Sequence, residues 1–380
     1  MYSKCYRRGV SISVTIRPVA RLLVGLAFVV SVGLCAVSQG ATWGALANPF
    51  PAPRTASAVN GPLLVTATRA GTTGETLLSV YPGQAPQALL SGLPSGTGLG
   101  ASPRGRYVAL AEGRRGLWIV RSNGSGLYRR LLPPSPTQRV YPLTIDAVAW
   151  SPDHYTLAYL VGEDLTVAKG PGPIGYAADA HVGVWIARYD GGAATQIATD
   201  TQLGDALLGL SSWSSDGRRV AVVTILGVTV VDIATHRASS IFGQVNLGAF
   251  SPTAPIFAYV LSAGQGSTSN TSQSGATFRT INDQGRGRPR SVGHDTTADN
   301  IRNSLVWSPD GRYLAYAVSL SMTHTRGDAE GHALAPVMTV VTEVHTLDTT
   351  TGRVRVVRIA SPWRLDSVSN PGLSWLHVLV

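Results

Sequence analysis

From residue 60 onward, short β-rich apolar runs alternate with clusters of turn residues, and the alternation carries a repeated phrase. Its fullest copy is Trp307-Ser308-Pro309-Asp310-Gly311-Arg312-Tyr313-Leu314-Ala315-Tyr316. Trp213-Ser214-Ser215-Asp216-Gly217-Arg218-Arg219-Val220-Ala221-Val222 repeats it, and Trp150-Ser151-Pro152-Asp153 with Leu157-Ala158-Tyr159 is a third copy. Degenerate copies start at Ala101 and at Phe250. Pro presets φ at the second turn position, Asp caps its own backbone and Gly supplies a positive φ, so each copy predicts a β-hairpin. A second hairpin follows at variable distance, as in Val184-Trp185-Ile186-Ala187-Arg188-Tyr189, Asp190-Gly191-Gly192 and Thr195-Gln196-Ile197-Ala198. Two hairpins make a four-stranded unit with strands A to D.

The phrase begins at 101, 150, 213, 250 and 307, in steps of 49, 63, 37 and 57 residues. A four-stranded propeller blade needs roughly 40–45 residues, so three steps hold extra loop. Before the first copy there are three strands, Leu63–Ala67, Thr76–Tyr81 and Gln87–Leu90. The missing inner strand lies at the other end, in Gly372-Leu373-Ser374-Trp375-Leu376. The expectation is an all-β, six-bladed propeller of four-stranded blades, with the N- and C-terminal strands sharing one blade.

The Trp-Ser-Pro-Asp-Gly-Arg-Tyr-Leu-Ala-Tyr phrase, followed by a hairpin such as Leu117-Trp118-Ile119-Val120 into Ser122-Asn123-Gly124-Ser125-Gly126, resembles the TolB-type, WD-repeat-like β-propeller family. The resemblance covers roughly residues 60–380. It implies the fold and says little of function, because that family includes periplasmic scaffolds, propeller domains attached to peptidases, and some lyases.

The N-terminus changes the picture next. Lys4, Arg7, Arg8, Arg17 and Arg21 precede an uncharged stretch from Leu22 to Ala47, apolar to Val37. A basic flank before an apolar core is an export signature. The stretch is long enough for an uncleaved signal anchor. Ala45-Leu46-Ala47 also offers a cleavage site, though ten residues past the apolar run, and Leu34 before Cys35 disfavours a lipoprotein. The expected division is a cytoplasmic flank 1–21, a signal anchor or signal peptide 22–47, a Pro-rich linker 48–60 and a propeller 61–380. The propeller would then be extracytoplasmic, held at the cell membrane or, after cleavage, secreted or periplasmic.

Both cysteines, Cys5 and Cys35, fall in that segment, so the exported part has no disulfide or thiol chemistry. The formal charge of +10 comes from 31 basic and 21 acidic residues; without the five N-terminal bases it is 26 against 21. Arg286, Arg288 and Arg290 form the local basic cluster and read as a solvated C–D turn rather than a nucleic-acid stripe. No nucleic-acid partner is expected, and a monomeric propeller is.

Candidate chemistry is sparse. Asp153, Asp216 and Asp310, with Gly217 and Gly311, read as turn caps; Trp150, Trp213, Trp307 and Trp375 read as contacts between blades. The eight histidines show no helix-face metal spacing, and there is no nucleophile elbow, phosphate loop or calcium loop. No catalytic residue, metal or cofactor is expected. Three insertions, Gly162–His181, Ser262–Ala276 and Ser321–Ala335, all fall between strands B and C. They would therefore share one rim, which suits a binding surface on a rigid scaffold. Tyr176, Asp179, His181, His294, Asp295, His324, Arg326 and Asp328 are the candidate partner-binding residues there. The function expected is a non-catalytic protein- or glycan-binding scaffold of the cell envelope. The alternative is a propeller lyase or hydrolase with a site over the central channel.

Overall fold

The computed structural model describes most of residues 59–378. Outside the described residues lie 1–58, 133–141, 164–180, 263–274, 325–336 and 365–372, with shorter stretches in several turns. Contacts divide the chain into Met1–Pro49 and Phe50–Val380. The expected anchor, linker and flank thus lie outside the described residues; no helix among those described is long and apolar enough to cross a membrane.

Six antiparallel sheets are arranged in sequence. The first holds β1 (Val59–Arg69), β2 (Glu75–Val80) and β3 (Gln87–Leu93). Blade 2 is β4 (Gly98–Ala101), β5 (Tyr107–Ala111), β6 (Leu117–Arg121) and β7 (Leu127–Leu131). Blade 3 is β8 (Leu143–Trp150), β9 (Thr156–Glu163), β10 (Gly183–Arg188) and β11 (Thr195–Thr199). A short helix, α1 (Asp200–Leu203), leads into blade 4: β12 (Leu207–Trp213), β13 (Arg219–Thr224), β14 (Gly227–Asp232) and β15 (Ala238–Gly243). Blade 5 is β16 (Gly248–Phe250), β17 (Ile256–Ser262), β18 (Ala276–Asn282) and β19 (Arg290–Asp295). Blade 6 is β20 (Ile301–Trp307), β21 (Tyr313–His324), β22 (Val337–Asp348) and β23 (Val354–Val357).

The two chain ends complete the first blade. β25 (Leu373–Val378) pairs with β1 through Leu63↔Trp375, Leu64↔Ser374 and Val65↔Leu373. β24 (Trp363–Arg364) continues the same edge, pairing with Thr68 and Arg69. Inner strands β25, β4, β8, β12, β16 and β20 touch one another in ring order. The chain is a six-bladed β-propeller.

Its core is not one mass but six clusters, each shared by two neighbouring blades. Leu64, Leu77 and Leu93 of the first blade, for example, meet Leu99, Val108 and Leu110 of the second. Alternating strands expose one apolar face to each neighbour, so a blade alone could not bury both; the ring can.

The repeated phrase builds the same turn in blades 2, 4 and 6 and variants of it in blades 3 and 5. Ser102, Ser151, Ser214, Ser251 and Ser308 are all buried. The hydroxyls of Ser102, Ser214 and Ser308 accept from the first strand-B amide, at 3.0 Å from Tyr107, 3.0 Å from Arg219 and 2.8 Å from Tyr313, while those of Ser151 and Ser251 accept from Asp153 N and Thr253 N inside the turn. Asp153 accepts from the amides of Tyr155 and Thr156, Asp216 from Arg218 and Asp310 from Arg312, as expected of turn caps. In blades 2, 4 and 6 the fourth position is left-handed, with φ of 65° at Gly105, 69° at Gly217 and 71° at Gly311. His154 occupies that position in blade 3 with φ 69°, a conformation that disfavours a side chain. It is also half-buried.

The anchor tryptophans latch blades together. Trp150 Nε1 donates to Gly100 O at 3.0 Å, Trp213 Nε1 to Ala149 O at 3.1 Å and Trp307 Nε1 to Ala249 O at 3.0 Å. Each acceptor belongs to the residue before the anchor of the preceding blade. Where the next anchor has no indole, that residue is a serine and the bond reverses. Phe250 N donates to Ser212 Oγ at 2.7 Å, and Ala101 N to Ser374 Oγ at 3.0 Å. Only the sixth seam, from blade 6 to the shared blade, breaks this rule among the described residues. By repeat position Trp375 Nε1 should reach Val306 O, yet it is buried and finds no partner. That seam is instead tied by Asn60, whose amide donates to Asp310 Oδ2 at 2.8 Å and accepts from Asp310 N at 3.2 Å.

Candidate functional site

Strand order puts the three long B–C connections on one rim. Of the residues expected there, Tyr176, Asp179, Arg326 and Asp328 lie outside the described residues, and His324 is described as the last backbone position of β21. His181 stands at the foot of the first insertion, its ring parallel to Trp185 at 6.4 Å, while Trp185 Nε1 donates to His181 O at 2.9 Å. His294 is exposed at the foot of the second, with Nδ1 3.1 Å from Thr277 Oγ1. The structure does not bring His181 and His294 to each other.

Asp295 differs from the expectation. It is 4% exposed and offers nothing to the rim. Its Oδ2 lies 2.6 Å from Nδ1 of His345 and accepts from the Tyr316 hydroxyl at 2.8 Å; its Oδ1 accepts from Thr297 N at 3.0 Å and Thr297 Oγ1 at 2.7 Å. The reason is position: the end of an outer strand in blade 5 lies against the middle strands of blade 6, where β21 and β22 carry Tyr316 and His345. His345 is 1% exposed and also faces Glu343, with Nε2 3.4 Å from its Oε2.

Burial works against charge on both partners, but the hydrogen bonds outweigh it. Those from His345, Thr297 and Tyr316 hold the Asp295 carboxyl well below the usual carboxylate range. Asp295 and Glu343 raise His345 above its ordinary 6.5. Burial, aided by the Asp295 charge, pushes the Tyr316 phenol far up. This is an acid–base set in composition. In place it is a saturated bolt between blades 5 and 6.

Two features of the rim escaped sequence reading. One is a cavity of about 490 Å³ over the first two blades, walled by Gly92, Leu93, Pro94, Glu112, Arg114 and Arg115. Glu112 is 6% exposed, and burial raises its pKa despite Arg115 and Arg130. The other is the length of β21 and β22. Residues 321–324, expected as loop, continue the strand, and pairing runs without a break from Tyr313↔Asp348 to His324↔Val337. β20 stops pairing at Ile301↔Val318, and β23 at Val344↔Val357. From Ser319↔Thr342 outward, six residue pairs form a two-stranded ribbon with no sheet neighbour among the described residues. At about 3.3 Å per residue it extends roughly 20 Å beyond the blade.

Comparison with known proteins adds to the fold alone. No protein family and no curated protein matches this sequence. Solved structures do. The chain is similar to a TolB of Agrobacterium tumefaciens, at 12% identity and a TM-score of 0.48, covering 85% of this chain and all of that one. It is also similar to tricorn protease, at 14% identity and a TM-score of 0.38, covering 72% of this chain and 25% of that one. The six-bladed ring itself rests on the strand pairing above.

Among the described residues no three His, Cys, Asp or Glu side chains are grouped to hold a metal ion.

Proposed function

We propose that this protein is an exported, membrane-tethered β-propeller that captures a protein partner on its loop-rich rim and performs no chemistry on it. The observation that carries the reading is the β21–β22 ribbon. A two-stranded hairpin alone is marginal in water, and an unpaired strand edge is a template for another chain. A ribbon whose two edges have no sheet neighbour among the described residues suits strand addition by a partner segment, in which main-chain hydrogen bonds supply affinity. The foot of each neighbouring insertion adds a histidine, His181 and His294, suited to polar contacts around such an edge. The Asp295–His345 pair, the strongest acid–base set in the ring, is buried and saturated, which favours binding over catalysis. Tethering rests on the basic flank and the uncharged 22–47 stretch.

The test places a photo-crosslinking residue at Ser321 or Val340 of the full-length protein in its own envelope. The reading expects one dominant adduct at both positions. It also expects loss of that adduct when 319–342 is replaced by a two-residue turn, with the melting temperature nearly unchanged. Undiminished capture after that replacement would contradict it. N-terminal sequencing that begins at Asn48 would refute the tether and leave export standing.

A further inference from the structure

On the opposite face, where the A–B and C–D turns lie, the seam between blades 2 and 3 carries four tyrosines gathered around one of them, Tyr189. Tyr107 opens β5, Tyr128 lies on β7, Tyr155 sits in the A–B turn of blade 3 and Tyr189 follows β10. Tyr107 and Tyr128 have ring centroids 4.8 Å apart. Tyr189 joins both, at 5.2 Å and 5.8 Å, and stacks with Tyr155 at 6.2 Å and 25°. Behind it Trp150 lies at 5.6 Å. Tyr128 and Tyr155 are each 40% exposed. None of the four hydroxyls has a hydrogen-bond partner among the described residues, so four phenol tips meet solvent.

Guanidinium groups surround the rings. Arg104 and Arg188 lie over Tyr155 at 6.0 Å and 5.4 Å. Arg129 donates to the Asp190 carbonyl and lies close over Gly191, where a Cβ would come within 2.6 Å of its nitrogens. Nearby acids are already engaged. Arg188 holds Asp190 through two bonds, at 2.9 Å and 2.7 Å, and Asp153 caps its own turn. Arg104 and Arg106 are exposed and have no carboxylate partner among the described residues. The uncommitted charge on this patch is therefore positive.

We infer that this face binds an anionic oligosaccharide of uronic-acid type. A sugar ring presents an apolar C–H face and a rim of hydroxyls at once. Rigid tyrosines take the first by stacking and the second through their hydroxyls. The planar fork of Arg104 matches the sugar carboxylate, which supplies the sign of charge the patch lacks. An acidic peptide would satisfy the arginine and leave the row of phenols unused. The site is separate from the rim and stands or falls without it.

The test is isothermal titration of the full-length protein with polygalacturonate, alginate and hyaluronan fragments, with methyl-esterified polygalacturonate and with oligoglutamate. At least one uronate polymer is expected to bind, and esterification to weaken binding tenfold or more. Tyr155→Ala and Arg104→Ala should each weaken it at least fivefold without moving the melting temperature. Tyr81→Ala, an exposed tyrosine outside the cluster, should change nothing. The inference is overturned if no uronate polymer binds, if the Tyr128→Ala/Tyr155→Ala double variant binds as the parent does, or if oligoglutamate binds more tightly than every uronate.

Discussion

Two seams of the ring bracket blade 6 and are built from opposite materials. At the blade 5–6 seam, Trp307 latches onto Ala249, and Asp295 is locked between His345, Tyr316 and Thr297. At the seam between blade 6 and the shared blade, the indole of Trp375 finds no partner, and the visible tie is the exposed Asn60–Asp310 pair. The apolar cluster of Leu63, Val65, Ala315 and Val344 fills this seam, and the chain ends meet one step further on, inside the shared blade, through the backbone ladder of β25 on β1. A propeller can therefore be bolted by side chains where its repeats are contiguous, and closed by strand pairing where its ends meet.

Deleting residues 371–380 should have the largest effect. It removes β25 and exposes the inner edge of β1, so cooperative thermal unfolding is expected to be lost and dye-accessible apolar surface to appear. A truncated protein with an unchanged melting temperature would break the comparison.

Next comes the bolt. Asp295→Asn or His345→Ala strands a buried charge or its partner, and should cost about 3–5 kcal/mol in urea unfolding. The pH dependence follows in sign. His345 has a raised pKa in the folded protein, so its contribution is complete below its unfolded value of 6.5 and fades as pH rises through the raised one. Asp295 has a depressed pKa, so its contribution is present above its unfolded value of 3.8 and fades as pH falls toward the folded one. Stability against pH should fall on both sides of that window, and Asp295→Asn should flatten both limbs.

The tryptophans sharpen the contrast more finely. Trp307→Phe leaves the buried Ala249 carbonyl without its donor, at a cost of about 1–3 kcal/mol. Trp375→Phe removes an N–H that has no partner and should cost less than about 0.5 kcal/mol beyond any change in fit. Equal losses at the two positions would show that Trp375 is latched after all. The smallest effect expected is a gain. His154→Gly relieves a left-handed side chain and should stabilise by about 1 kcal/mol, less the added freedom of the unfolded chain.

How much of this was legible follows from distance along the chain. The turns, the anchor tryptophans and the split blade are local or periodic, and the phrase at 307 displays all their chemistry within ten residues. The C–D turn of Arg286, Arg288 and Arg290 is likewise solvated, as its composition implies. Asp295 was misplaced on the rim because its burial depends on Tyr316 and His345, one blade further on. The tyrosine patch draws on four separate strands or turns of two blades, none of which stands out alone. Residues 321–324 read as loop because Ser, Thr and His surround a single apolar residue, although backbone pairing continues through them. The short helix α1 carries a local signal: Thr199 and Gln202 form a capping box.

The most direct test of ring closure is native-state hydrogen exchange along the inner strands. The account predicts that amides of Ser374–Val378 in β25 exchange through an opening of lower free energy than those of β8 and β20, because their seam with blade 6 lacks the indole latch. Protection in β25 equal to that in β8 and β20 would contradict it.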